Sequence, residues 1–184
     1  MKSKTFIKLL LLIAFAFITV GFSANASASA KVHYIDSNPK FVRGGWYRRT
    51  KFRGEWGGSH NDYTKRTAGG YALHSATRST TSVIHNIHAK HVKYDEYSWY
   101  LPAYAGYVKK NNRTWYFIKD WKIKKSEAPY SYYTSSKYKG HKVVVLADKH
   151  FKVTDIMYRT DKLAKKYWHK KISHFKYAKT FGEF

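Results

Sequence analysis

The chain has 184 residues, no cysteine, and 35 lysine and arginine residues against 11 aspartate and glutamate residues, a formal net charge of +24. The missing cysteine excludes disulfide bonds and lipid attachment through a cysteine sulfur. The excess of positive charge favours polyanions as partners, although it also serves to keep an aromatic-rich chain in solution.

The first 30 residues are predicted to be a secretory signal peptide. Lys2, Lys4 and Lys8 precede an uncharged apolar segment, Leu9–Phe22, which is shorter than a membrane-spanning helix. Overlapping Ala-x-Ala cleavage sites follow in Ser23–Ala30. The chain is therefore expected to be exported.

Cleavage between about Ala26 and Lys31 removes 30 of the 184 residues and leaves 154, the size of one domain. Three basic residues and no acidic residue are lost, so the mature chain would carry a charge of +21. We expect a secreted protein, extracellular or associated with the cell surface. Export makes an anionic cell-wall polymer or an anionic membrane surface the expected partner, and it disfavours intracellular nucleic acid.

The first predicted strand of the mature chain, Phe41–Arg49, contains the sequence "RGGWY". Glycine suits a place where the backbone bends or passes close to a neighbour, here Gly44 and Gly45. A large indole directly afterwards can close one end of a barrel, and an arginine on its face adds a cation–π attraction. We therefore interpret Trp46 as a structural plug.

This opening resembles the Gly-x-Trp motif of the lipocalins. The wider segment "NPKFVRGGWY", residues 38–47, is similar to that of small secreted basic proteins of Gram-positive bacteria with lipocalin-like (calycin) barrels. The resemblance implies an eight-stranded, up-and-down antiparallel barrel with a helix packed outside. It also implies an arginine near the end of the last strand that covers the tryptophan, a role that Arg159 matches by position, with Gly44 and Trp46 as its partners.

A second "RGEW" follows at Arg53–Trp56 and has two interpretations. It is either a strand segment that brings Trp56 beside Trp46, or an exposed loop that binds a ligand through Arg53 and Trp56.

The middle of the chain is typical of short strands separated by turns. Further strands are predicted at Tyr71–Thr77, Ser82–His88, Ser98–Leu101 and Tyr130–Thr134, with turns at Gly69–Gly70 and Ser135–Gly140. Two hairpins are clearer: Ala105–Trp121, turning at residues 110–112, and His141–Arg159, turning at residues 148–150. In all, about eight strands in residues 31–159 predict a mainly β barrel domain.

In residues 160–184 the spacing of apolar residues changes from that of a strand to that of a helix. We predict an amphipathic helix over Thr160–Phe175 followed by a tail. Apolar residues recur at intervals of three and four, and Thr160 or Asp161 is available as N-cap. Lys162, Lys165, Lys166, Lys170 and Lys171 form its basic face. The helix either docks on the barrel wall or lies on a membrane.

No catalytic, cofactor or metal site is expected. His85, His88 and His91 have a zinc-like spacing, but on a strand the middle one points away from the other two. Asp95 and Glu96 diverge as neighbours in an extended strand, and there is no nucleophile elbow or phosphate-binding glycine loop.

Lysines interleave with aromatic residues in Tyr94–Lys110 and Glu127–Lys142. Such a mixture suits a surface that binds glycan rings and phosphates, although the aromatic residues equally serve to fill and cover a barrel. The candidate binding residues are Arg53, Trp56, Lys109, Lys110, Lys137 and Lys139. We therefore expect a non-enzymatic basic barrel that associates with the anionic cell envelope and binds a small apolar ligand in its lumen; the alternative is a membrane-active cationic protein that acts through the C-terminal helix.

Overall fold

The structure is a computed structural model that describes residues 31–73, 75–95 and 97–182 and, within these, all side chains except that of Phe52. The predicted signal peptide lies outside the described residues. One compact unit spans Lys31–Phe184.

Within the described residues the chain forms ten strands and one short helix. These are β1 (His33–Ile35), β2 (Gly44–Phe52), β3 (Glu55–Tyr63), β4 (Thr67–Ala72), β5 (Thr81–Ile84), β6 (Tyr100–Lys110), β7 (Arg113–Asp120), β8 (Tyr132–Tyr138), β9 (His141–Ala147), β10 (Val153–Tyr158) and α1 (Asp161–Tyr167). The prediction of a mainly β barrel is confirmed.

Nine of the described strands, β2 to β10, close the barrel. Consecutive strands from β2 to β10 pair with each other, including β5 with β6 and β6 with β7. The pair between β2 and β10 closes the ring. Strand β1 pairs with the part of β6 that extends beyond β5. The barrel has nine described strands where about eight were predicted, and the fully antiparallel order is wrong. The β5–β6 pair is parallel, because residues 85–99 carry the chain back along the barrel before β6 begins.

Both predicted hairpins are present, and their turns have the expected chemistry. Asn111 and Asn112 join β6 to β7 with φ of 52° and 55°, the left-handed backbone that asparagine tolerates in a tight hairpin. Residues 148–152 join β9 to β10.

Two predicted turns are wrong. Gly69–Gly70 lies inside β4, where a Cβ on Gly70 would stand 2.2 Å from the His60 carbonyl oxygen, so close backbone packing requires glycine there. Most of the Ser135–Gly140 segment belongs to β8, and only Lys139–Gly140 turns. Its polar residues are compatible with a strand because they lie near the end of the barrel. Only Tyr100 and Leu101 of the predicted strand Ser98–Leu101 belong to a strand, as the first two residues of the long strand β6.

Apolar side chains cover both faces of the wall formed by β9 and β10. The inner cluster contains Val42, Trp46, Tyr133, Val144 and Met157. The outer cluster contains Val143, Val145, Val153, Ile156 and Tyr158, and it is covered by Ala164, Ile172 and Phe181 from the C-terminal region. Strand alternation explains how the run Val143–Val145 serves both clusters.

The helix begins where the sequence predicts and ends earlier. Thr160 is the N-cap, and its hydroxyl accepts a hydrogen bond from the Leu163 amide at 3.3 Å. Helix α1 ends at Tyr167, so Lys170 and Lys171 lie beyond it. The chain instead crosses the barrel wall, where the amide of Val153 donates to Lys176 and the amide of Ala178 donates to Val153. Within the predicted helix the Ile172 amide donates to the Tyr177 hydroxyl instead of to a helical carbonyl.

Candidate functional site

Gly44, Trp46 and Arg159 form one packed unit at an end of the barrel. Trp46 is 1% exposed, its indole N–H donates to the Val42 carbonyl, and the Arg159 guanidinium carbon lies 3.7 Å from its ring centroid. Arg159 also donates to the carbonyls of Gly45 at 3.2 Å and Arg43 at 2.9 Å. Gly44 has φ of +97°, and a Cβ there would stand 2.6 Å from Arg159 Nη1. Glycine at position 44 therefore makes room for the guanidinium.

The strand directions define this end, which we call the mouth. The turns Asn111–Asn112 and Lys139–Gly140 both lie there, because β6 to β9 are successive antiparallel neighbours. Strand β10 ends at the mouth and β2 begins there, since these two strands are antiparallel as well. The β2–β3 turn at Arg53–Gly54 lies at the opposite end.

Three exposed lysines, Lys109, Lys137 and Lys142, mark the mouth and are called the rim lysines below. Strand alternation places them on the lumen-facing side, in line with Tyr107 on β6, Tyr133 on β8 and Val144 on β9. Among the described residues none of the three has an ion-pair partner. Arg159 follows the same alternation on β10, so the positive charges lie on several strands around the mouth.

A cleft of about 600 Å³ has Tyr107 in its lining, two residues before Lys109 on the same face of β6, and its own positive residues are Lys40 and Arg43. Its floor includes Tyr107 and Tyr116, and its walls come from residues 34–40, Arg43 and the segment 86–88. Asn38 fixes the wall segment: its amide nitrogen donates to the carbonyls of Thr64 at 3.0 Å and Thr67 at 2.9 Å, and Arg43 donates to the Asn38 carbonyl. The cleft therefore offers tyrosine rings and positive charge together.

The structure does not bring all the predicted binding residues together. Lys109, Lys110, Lys137 and Lys139 lie at the mouth, whereas Arg53 and Trp56 lie at the other end. The structure supports each interpretation of Trp56 only in part, and its role in binding stays a prediction. Trp56 is on strand β3, but opposite Lys51 rather than beside Trp46, and its 37%-exposed ring meets Trp168 edge-on at 5.7 Å.

Only three of the five lysines predicted to form the basic face lie on helix α1. Lys162, Lys165 and Lys166 are exposed on α1, and Lys165 pairs with Asp161 at 3.2 Å. Leu163, Ala164 and Tyr167 pack against the outer cluster.

Two buried ionisable residues escaped the sequence analysis. Lys119 lies on the same face of β7 as Trp115 and Phe117, a position that alternation alone could have flagged. Its ammonium donates to the carbonyls of Lys124 and Glu127, and burial lowers its pKa, partly opposed by the Glu127 carboxylate. Asp155 faces the lumen 3.4 Å from Arg48 Nε, and burial raises the pKa of this carboxyl to about 7 against the attraction of Arg48.

The described residues include no group of three or more histidine and acidic side chains arranged to hold a metal ion. His88 and His91 are exposed, His85 rests on Trp121 at 6.1 Å, and Glu96 lies outside the described residues. No helix in the described part of the chain has the length and apolar character needed to cross a bilayer.

Comparisons of the chain with models of protein families, with curated proteins and with solved structures found no match. The functional argument therefore rests on the geometry of the barrel and its charged mouth.

Proposed function

We propose that this protein is a non-enzymatic, secreted, cationic barrel that associates through its mouth with an anionic polymer of the cell envelope. The observation that carries the proposal is the set of rim lysines, which are exposed at the mouth and without ion-pair partners among the described residues. A tyrosine-lined cleft with Lys40 and Arg43 in its walls adds to this positive surface. Several cations spread around the mouth can each contact a different phosphate of one repeating chain, whereas a single small anion could reach only some of them. The charge of +21 expected for the mature chain supports the same class of partner.

Cosedimentation with isolated cell walls tests this function. Binding should fall when the phosphate polymers are removed from the walls and when salt is raised to 1 M, because the screening length shrinks from about 8 Å at physiological ionic strength to about 3 Å. Binding that survives both treatments contradicts the proposal.

A matched pair of triple variants locates the binding surface. Changing the rim lysines, K109Q/K137Q/K142Q, should weaken wall binding by about tenfold, since each exposed charge contributes about 0.5 kcal/mol. The variant K162Q/K166Q/K170Q removes the same charge from the region of the helix and should weaken binding less than about threefold. Equal losses in the two variants would mean that charge acts without a preferred surface.

The small apolar ligand predicted for the lumen would bind in the mouth cleft and not deeper in the barrel. The inner cluster around Trp46, Tyr133 and Met157 fills the barrel at that level with side chains. Tyr107 and Tyr116 offer ring faces in the cleft instead.

The alternative function, membrane activity through the C-terminal helix, is less well supported because the apolar side of α1 is packed on the barrel. Deleting residues 160–184 is not a usable test, since Ile172 and Phe181 belong to the outer cluster. We expect the mature protein to cause no dye leakage from anionic vesicles. Leakage that K162Q/K166Q/K170Q abolishes, in a protein that stays folded, would favour the alternative.

A further inference from the structure

A groove of about 480 Å³ lies on the outer wall of the barrel, over strands β3, β4 and β5. Part of its floor is backbone, because Gly69 carries no side chain on this face of β4. A Cβ on Gly69 would stand 2.6 Å from Thr81 Oγ1, so the groove depends on this glycine.

Two exposed tyrosine rings flank the groove. Tyr71, near the end of β4, lies on one side of the groove. Tyr100, the first residue of β6, lies on the other side and is 55% exposed. The next residue outward, Trp99, is 62% exposed. Large aromatic side chains are usually buried, so two neighbouring exposed rings beside a groove indicate a binding surface.

Polar groups of both kinds line the space between the rings. The Asp62 carboxylate, at 59% exposure, supplies hydrogen-bond acceptors, and the Arg78 guanidinium supplies donors. Within the described residues Arg78 has no ion-pair partner.

Backbone hydrogen bonds hold the walls in place. Ser79 donates to the Gly70 carbonyl at 2.8 Å, and Ala72 donates to Thr77 at 2.9 Å, which folds the segment carrying Arg78 back against β4. Thr81 donates to the Trp99 carbonyl at 2.7 Å and so fixes the strand end that carries Tyr100. A site formed in advance loses less conformational entropy on binding.

We propose that this groove binds a neutral glycan, a chain of hexopyranose rings. The apolar C–H face of a sugar ring stacks on an aromatic face, as Tyr71 and Tyr100 offer it, and the hydroxyls at the ring edge pair with a carboxylate and a guanidinium. The opposite charges of Asp62 and Arg78 leave the groove without a net charge to attract a polyanion, and both charges disfavour contact with lipid tails. The inference is independent of the charged mouth, which is on a different part of the surface.

Titration with chitotetraose and cellotetraose, followed by tryptophan fluorescence and calorimetry, tests the site. At least one tetrasaccharide should bind, and the dissociation constant should change less than about twofold between 0.1 and 1 M salt, since no net charge is neutralised. Tyr71→Ala and Tyr100→Ala should each weaken binding at least fivefold. Tyr130→Ala is the matched control, because Tyr130 is 88% exposed and does not line the groove, and it should leave affinity unchanged.

Three results would overturn the glycan site. One is no binding of either tetrasaccharide, nor of soluble glycan released from walls stripped of phosphate polymers, at millimolar concentration. The second is binding that Tyr71→Ala and Tyr100→Ala leave unchanged. The third is binding to phosphatidylcholine vesicles, lost in Tyr100→Ala, in place of sugar binding. None of these results bears on salt-sensitive wall binding through the rim lysines, so the two proposals fail separately.

Discussion

Replacing Trp46 with alanine should lower the free energy of unfolding by about 3 to 5 kcal/mol, the loss typical of a buried tryptophan. The indole is 1% exposed and packs against Val42, Tyr133, Val144 and Met157, so its removal leaves a cavity in the inner cluster. The Arg159 guanidinium also loses the ring it covers at 3.7 Å. Urea unfolding followed by circular dichroism measures the change.

Two further variants keep the test informative if the alanine variant does not fold. Trp46→Phe retains much of the packing and should cost about 1 to 2 kcal/mol, partly because the Val42 carbonyl loses its donor. Trp99→Ala removes an indole that is 62% exposed and should change stability by less than about 0.5 kcal/mol. If Trp46→Ala unfolds at the same urea concentration as the parent, the structural plug is wrong.

Local chemistry made the barrel and its tightest turn predictable. Asparagine tolerates positive φ as a property of its own side chain, so the tight turn at Asn111 and Asn112 and the β6–β7 hairpin could be predicted from the sequence. Alternation along β7 places Trp115 and Phe117 on one face, and both are buried. The whole-barrel topology was less accessible, because the parallel β5–β6 pair depends on how residues 85–99 return rather than on either strand.

The errors occur where tertiary packing overrides a local signal. A glycine pair usually indicates a turn, but Gly70 serves close contact with the His60 carbonyl inside β4. The hydrophobic period of Thr160–Phe175 favours a helix, yet the helix ends at Tyr167, and Ile172 beyond it packs in the outer cluster with its amide bonded to the Tyr177 hydroxyl.

The candidate sites show the same limit. Lys109 and Lys137 were singled out from composition alone, but their shared position at the mouth depends on strand order and register. The groove beside Gly69 was missed because its residues come from separate segments and none forms a motif.

The second large effect should come from Asp155→Asn, which we expect to be more stable than the parent at pH 8 by about 2 to 4 kcal/mol. The carboxyl faces the lumen and is 3% exposed, and burial raises its pKa to about 7. Its oxygen accepts a hydrogen bond from the Ile156 amide at 2.8 Å, which the asparagine carbonyl can keep. Arg48 loses a counterion, and this offsets part of the gain because Nε, the atom that faces Asp155 at 3.4 Å, is buried although the side chain as a whole is 30% exposed.

The sign of the pH dependence follows from proton binding. Between about pH 4 and pH 7 the unfolded chain releases the Asp155 proton while the folded chain keeps it. The folded state therefore binds more protons in this window, and the contribution of Asp155 to stability falls as the pH rises through it. At pH 4 the parent and Asp155→Asn should be nearly equal, and the difference should grow up to about pH 7 and then stay constant.

Asp161→Asn provides a control of opposite sign. The pKa of Asp161 is lowered, first by its hydrogen bond with Arg49, so this carboxylate stabilises the fold above the pKa of an unfolded aspartate. Asp161→Asn should thus be less stable than the parent at neutral pH, and that difference should vanish as the pH falls through the lowered pKa. Urea unfolding of all three proteins at pH 4, 6 and 8 measures both trends. A variant Asp155→Asn that is less stable than the parent at pH 8 would contradict this prediction. It would mean that the attraction between Asp155 and Arg48 outweighs the desolvation cost of the buried carboxylate, so that Asp155 is ionised in the folded protein.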